Sequence, residues 1–182
     1  MNRQLGYFCA KLIGKLKRDK QKETLNRWFV KSGVHLELSG DGWININSNI
    51  ALNEPHLIYI GQNTTIAGNV NLITHDNSIS KVIDQTTDLF GKIVIGRNCF
   101  IGASSVIMYG VTIADNVIVA AGSVVTKSIH ESNVIVAGNP ARTISSWDRF
   151  REKSKDFAWN LNDENQSNWK YETGKGIKCV TR

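Results

Sequence analysis

Residues 95–126 read IGRNCFIGASSVIMYGVTIADNVIVAAGSVVT. Every sixth position, Ile95, Ile101, Ile107, Ile113, Val119 and Val125, carries an Ile or a Val. Gly96, Gly102, Ala114 and Ala120 directly follow four of them. A second set, Cys99, Ser105, Val111, Val117, Ser123 and Ile129, stands four positions after each aliphatic. Neither the helical period of about 3.6 nor the strand period of about 2.0 generates this spacing. A period of six describes a solenoid in which each hexad is one flat side of a coil. The aliphatic points at the axis and stacks on its counterpart one coil away. The small residue beside it lets the backbone turn the corner. Three sides then close a triangular coil of eighteen residues.

The pattern extends outward from this block. Leu38, Ile44 and Ile50 form an earlier six-spaced set, with Asp41-Gly42 as a turn. Glu54-Pro55-His56-Leu57 interrupts the register by four residues, and the repeat resumes at Ile60, Ile66 and Leu72, with Thr64 and Val70 in the small slots. The coil is therefore expected to begin near residue 34. Residues 74–92, THDNSISKVIDQTTDLFGK, lack the period and form a long protruding loop, a length usually tied to function. Its apolar residues Ile79, Val82, Ile83, Leu89 and Phe90 suit contact with a neighbouring subunit or a stabilising arm. After a turn over 128–134, Val134-Ile135-Val136 adds a last side, and Gly138-Asn139-Pro140-Ala141-Arg142 ends the solenoid.

The flanks read as helices. Leu5, Phe8, Cys9, Leu12, Ile13 and Leu16 recur at helical spacing over 5–18, with lysines mostly off that face. Such a helix covers the open first coil. It also suits peripheral contact with anionic lipid. Trp28 and Phe29 extend the capping cluster. A second helix is expected over 145–160, capped by Ser145 or Ser146. This gives a helical cap over 1–32, a coil over 33–144 and a helix with a tail over 145–182.

Composition narrows the class. At 182 residues, with 41% hydrophobic and 21% charged content, the chain suits one soluble solenoid with appendages. Lysines interrupt the apolar stretches near the N-terminus, so no signal peptide is expected. Cys9, Cys99 and Cys179 are odd in number and widely spaced, which reads as reduced thiols in the cytoplasm. Cys99 fills a core slot, so packing is its expected role. The formal net charge of +6 points to an anionic partner. Phosphorylated cosubstrates and glycans fit the motifs better than nucleic acid.

The run from Ile95 to Lys127, followed by VIVAGNPARTI from Val134, resembles the hexapeptide-repeat acyltransferases, and among them the sugar O-acetyltransferases of galactoside, maltose and capsule or colanic-acid type. The resemblance implies a mainly β fold, a left-handed parallel β-helix. That hand departs from the usual right-handed crossover and is not readable from the period. It also implies acetyl-CoA as cosubstrate, no metal, and a homotrimer. The acceptor would be a sugar or glycan, lipid-linked forms included, at the inner face of the membrane.

Site residues follow from the same resemblance. Ile73-Thr74-His75-Asp76 matches the family's histidine at the loop mouth, making His75 the expected general base. A sugar hydroxyl is too weak an acid to attack a thioester at neutral pH. An imidazole that takes its proton gains typically ~100- to 10,000-fold. Asp76 is a sequence neighbour and is not assigned as the group that orients His75. Positions matching the family's CoA contacts are Ala103, Ala121, Thr126, Lys127 and Arg142. The alanines admit the pantetheine arm, and Lys127 and Arg142 meet the phosphates. An N–H near Gly102 or Ala103 is a candidate for the oxyanion.

Other readings stay open. An N-acetyltransferase of an amino-sugar nucleotide, or an antibiotic acetyltransferase, uses the same base and cosubstrate site. A non-catalytic β-helical scaffold has no use for His75. A β-helical carbonic anhydrase needs three histidines around zinc, and the hexads of 95–125 contain none.

Overall fold

The computed structural model describes residues 18–37, 42–45, 48–50 and 54–158. They fall in two compact units, divided after Ile144. The expected helix over 5–18 lies outside the described residues apart from its last residue. The first helix described is α1, Arg18–Ser32. Leu25 and Phe29 recur at helical spacing and are 0% and 1% exposed. Gly33, at φ +106°, ends the helix. Its N–H bonds to Val30 O at 3.0 Å and that of Val34 to Phe29 O at 3.1 Å, a left-handed glycine stop.

The first unit is a parallel β-helix with three sheets. Face one stacks His35–Leu36, Ile58–Ile60, Ile93–Ile95 and Thr112–Ile113. Face two stacks Trp43–Ile44, Thr65–Ile66, Phe100–Ile101 and Val117–Val119, then Val134–Gly138 and Ala141–Ser146. Face three stacks Asn49–Ile50, Asn71–Leu72, Val106–Ile107 and Val124–Val125. Partners such as Ile95 and Ile113, Ile101 and Val119, and Ile107 and Val125 are eighteen positions apart, one coil as the period requires. All six aliphatics are 0–1% exposed. Each such burial stabilises by roughly 1.5–3 kcal/mol, so the axis is the core.

The second residue set lines the corners. Ser105 Oγ donates to Ala120 O at 3.0 Å, and Thr64 Oγ1 to Gly96 O at 2.7 Å, so these buried hydroxyls are satisfied. Cys99 is 3% exposed, and burial pushes its thiol pKa up. It packs in the core, as expected. The corner glycines are there for close approach, as the small slots beside the aliphatics imply. Gly96 and Gly102 do not have positive φ; a Cβ on either would strike the backbone one coil away, at Asp115 and Ala121 respectively. The left-handed turn falls two residues later, on Asn98 and Ser104 at φ +54° and +60°.

Two irregularities shape the early coils. Leu36, not Leu38, pairs with Ile60 and occupies the core register of face one; Leu38 lies outside the described residues. Leu36 stands eight positions before Ile44, two more than a hexad. The four-residue interruption forms a short 3-10 turn, Pro55–Leu57.

The loop 74–92 leaves the coil as a two-stranded neck. His75–Asp76 pairs antiparallel with Leu89–Phe90, and a 3-10 turn, Asn77–Lys81, follows the first strand. Asp76 Oδ1 accepts from Ser78 N–H at 2.8 Å, which holds its carboxyl below the usual range. In the second unit, α2 covers Trp147–Ser154, with Ser146 Oγ accepting from Arg149 N–H at 3.3 Å. The expected tail beyond 158 lies outside the described residues. Among the described residues no helix is long and apolar enough to cross a membrane.

Candidate active site

His75 is placed by the neck of the loop, at the corner where face three passes to face one. Its Nδ1 lies 3.0 Å from Glu54 Oε2. The same oxygen accepts from Thr74 Oγ1 at 2.8 Å. Glu54 opens the four-residue interruption, immediately before Pro55, in the coil stacked against the loop exit. Its side chain is 17% exposed and that of His75 39%, so the carboxylate is sheltered while the imidazole reaches solvent. A carboxylate only accepts, so in the neutral imidazole facing it Nδ1 carries the proton and Nε2 keeps the lone pair. Glu54 is the orienting group that the sequence did not reveal. Asp76 does not play that part: it caps Ser78, and its Oδ2 accepts from Tyr109 Oη at 3.4 Å.

One aromatic contact and one backbone hydrogen bond complete the surroundings. The Phe90 ring, 58% exposed, sits 5.9 Å from the His75 ring across the neck. Gly91 N–H donates to Thr74 O at 2.9 Å and ties the loop exit to its entry. A Cβ on Gly91 would collide with Gly110 N, so this crossing requires glycine.

The expected CoA contacts divide between corners. Ala103 and Ala121 are exposed and stack on the corner between faces two and three, Gly122 N–H bonding Ala103 O at 2.9 Å. Thr126 and Lys127, also exposed, lie on the corner between faces three and one. That is the His75 corner, with Tyr109 in the coil between, in register with Thr74 and Lys127. Arg142 is exposed on the last strand of face two. One chain therefore places the base and Lys127 along one corner and the two alanines a full face away. Gly102 N–H is engaged with Val119 O at 2.8 Å and is not free to hold an oxyanion. Among the described residues no three His, Cys, Asp or Glu side chains gather as a metal-ligand set.

Comparisons with known proteins bear on the fold and the family. Residues 92–127 match the family model described as the hexapeptide repeat of succinyl-transferase. The chain is similar to protein CapG of Staphylococcus aureus, 41% identical over 114 residues, covering 60% of this chain and 66% of that protein. It is similar to the galactoside O-acetyltransferase of Escherichia coli K12, 38% identical over 99 residues, covering 54% and 48%. The matches thus span about half to two thirds of the relatives' lengths. A solved hexapeptide-repeat acetyltransferase of Vibrio cholerae, complexed with acetyl-coenzyme A, shares the fold at TM-score 0.52 and 20% identity, over 79% of this chain and 86% of that one. The shared fold is the left-handed parallel β-helix.

Proposed function

The chain belongs to the hexapeptide-repeat acetyltransferases, and on that premise we propose that it moves acetyl from acetyl-CoA to a sugar hydroxyl in the cytoplasm, in surface-polysaccharide synthesis. The observation that carries the reading is the His75–Glu54 pair at the loop neck. Glu54 holds the Nδ1 proton. Nε2 of His75 takes the proton of the acceptor hydroxyl as its oxygen attacks the acetyl carbonyl, and returns it to the departing CoA sulfur. Acetyl-CoA supplies the acyl group and the thiol leaving group. Ala103 and Ala121 fit its pantetheine arm because they present only methyl groups on an exposed corner. Lys127 and Arg142 meet its phosphates. The similarity to a galactoside O-acetyltransferase favours oxygen over nitrogen as the acceptor atom.

The assembly belongs to the same reading. Base and alanines sit on different corners of one chain, so a complete site needs the His75 corner of one copy against the alanine corner of another. A homotrimer with closed three-fold symmetry provides three such sites. Val82 and Ile83 on the loop, 78% and 52% exposed, supply apolar surface for the contact. The lysine-rich segment ahead of α1 would bring the enzyme to anionic lipid and a lipid-linked glycan. The test is incubation with acetyl-CoA and a panel of hydroxyl and amino sugars. Free thiol released in step with an acetyl ester is the expected result; amide products, or no product, count against it.

A further inference from the structure

Face one carries a cleft of about 710 Å³ that the acetyl-transfer chemistry does not use. His35, Glu37, Tyr59, Val94, Arg97 and Asp115 line it. His35, Tyr59 and Val94 occupy one outward row, paired coil to coil. The His35 and Tyr59 rings stack with centroids 4.1 Å apart and planes 5° apart. Lys92 Nζ lies 4.5 Å from the Tyr59 centroid. At the far corner Arg97 Nε and Glu37 Oε2 are 3.0 Å apart, and Asp115 Oδ1 accepts from Arg97 N–H at 2.7 Å.

The cleft lies on the face that starts at the His75 corner. Glu54 and Tyr59 belong to one segment, a 3-10 turn running into a strand, which spans about 12 Å. On the neighbouring coil, Phe90 faces His75 and Lys92, two residues later, reaches Tyr59. Aromatic rings and polar tips therefore run from His75 along face one into the cleft. Carboxylates outnumber the one cation in its lining: the Arg97 hydrogen bond holds the Glu37 carboxyl below its ordinary range, and Asp115 stands beside the pair. Two carboxylates there oppose a polyanion. Ring edges, an apolar patch and paired polar groups suit a neutral, polyhydroxylated chain.

We propose that the face-one cleft binds the distal sugars of a neutral oligosaccharide acceptor whose reacting ring sits between Phe90 and His75. This rests on the acetyltransferase reading and adds a length preference: the acceptor is an oligosaccharide, and Tyr59 and Val94 read the part that does not react.

The experiment compares a neutral methyl glycoside with the matching tetrasaccharide, on the full chain at saturating acetyl-CoA. In the wild type the long acceptor should have a kcat/KM about ten-fold or more above the short one, since remote binding raises transition-state affinity. Tyr59→Ala and Val94→Lys, made separately so that a folding failure in one leaves the other, should bring that ratio close to one. Equal efficiency for the two lengths in the wild type overturns the proposal, as does a ratio that survives both substitutions. Loss of the native mass in either variant also overturns it, because the cleft would then be a contact between copies. If the wild type acetylates neither sugar, the function reading fails, and calorimetry of the tetrasaccharide against CoA-loaded protein decides the cleft alone. Binding that Tyr59→Ala abolishes supports it; absence of binding overturns it.

Discussion

His75 Nδ1 and Glu54 Oε2 lie 3.0 Å apart although the residues are 21 positions apart in the chain. The pair fixes which imidazole nitrogen faces the substrate. Glu54→Gln should lower kcat on the order of 100-fold while leaving the acetyl-CoA KM near its wild-type value, and Glu54→Asp should recover part of the loss. The buried triad aspartate of serine proteases contributes about 10,000-fold in the same role; Glu54 is less secluded. Because Glu54 also accepts from Thr74, Thr74→Val is the control, with an effect several-fold smaller. Steady-state kinetics on the four proteins check this.

Coil stacking gives a contrast between two glycines. A Cβ on Gly102 would meet the backbone at Ala121 N, whereas one on Gly122, at φ +70°, would meet nothing within 4 Å. Gly102→Ala should cost about 3 kcal/mol or more, because backbone cannot move aside. Gly122→Ala should cost only about 1 kcal/mol for its left-handed conformation. Denaturant midpoints measure both.

Much of this was legible in the sequence, and the omissions have physical reasons. The six-residue period survives because each coil contributes one aliphatic per side to a shared axis, as Ile101 and Val119 do. The long loop showed itself by breaking that period. Glu54 did not, because its meeting with His75 depends on which coil stacks on which, and the four-residue interruption looked like a defect instead of a site. Leu38, six positions before Ile44, satisfies the count, whereas Leu36, eight before it, is the residue that pairs with Ile60. The helix over Arg18–Ser32 falls inside the helical cap expected over 1–32, but its own bounds are not readable, because its apolar signal, Leu25, Trp28 and Phe29, is confined to its second half. The split of Ala103 and Lys127 between corners follows from the eighteen-residue coil itself: Ala103 to Ala121 is one full coil, whereas Lys127 stands one further side on.

Lys127→Ala and Arg142→Ala should raise the acetyl-CoA KM more than they lower kcat. Phosphates lie far from the reacting carbonyl, so charge there stabilises ground and transition states alike. Calorimetry of CoA against the double variant should show weaker binding than wild type; unchanged affinity contradicts the assignment of these two residues.

Separation of the base from the alanine corner predicts complementation between two inactive proteins. His75→Ala supplies an intact alanine corner, and Ala103→Trp supplies an intact base with a blocked corner. After subunit exchange, a mixed trimer should regain part of the activity at interfaces that join the two intact halves. No recovery in a verified mixed trimer would place both halves of a site on one chain.

The central claim, that His75 is the base of an acetyl transfer, is tested most directly by turnover of His75→Ala with acetyl-CoA and a sugar that the wild type acetylates. The account predicts a fall of at least ~100-fold, with acetyl-CoA binding by calorimetry and the melting temperature close to wild type. Turnover near the wild-type rate in a folded, CoA-binding His75→Ala protein would contradict it.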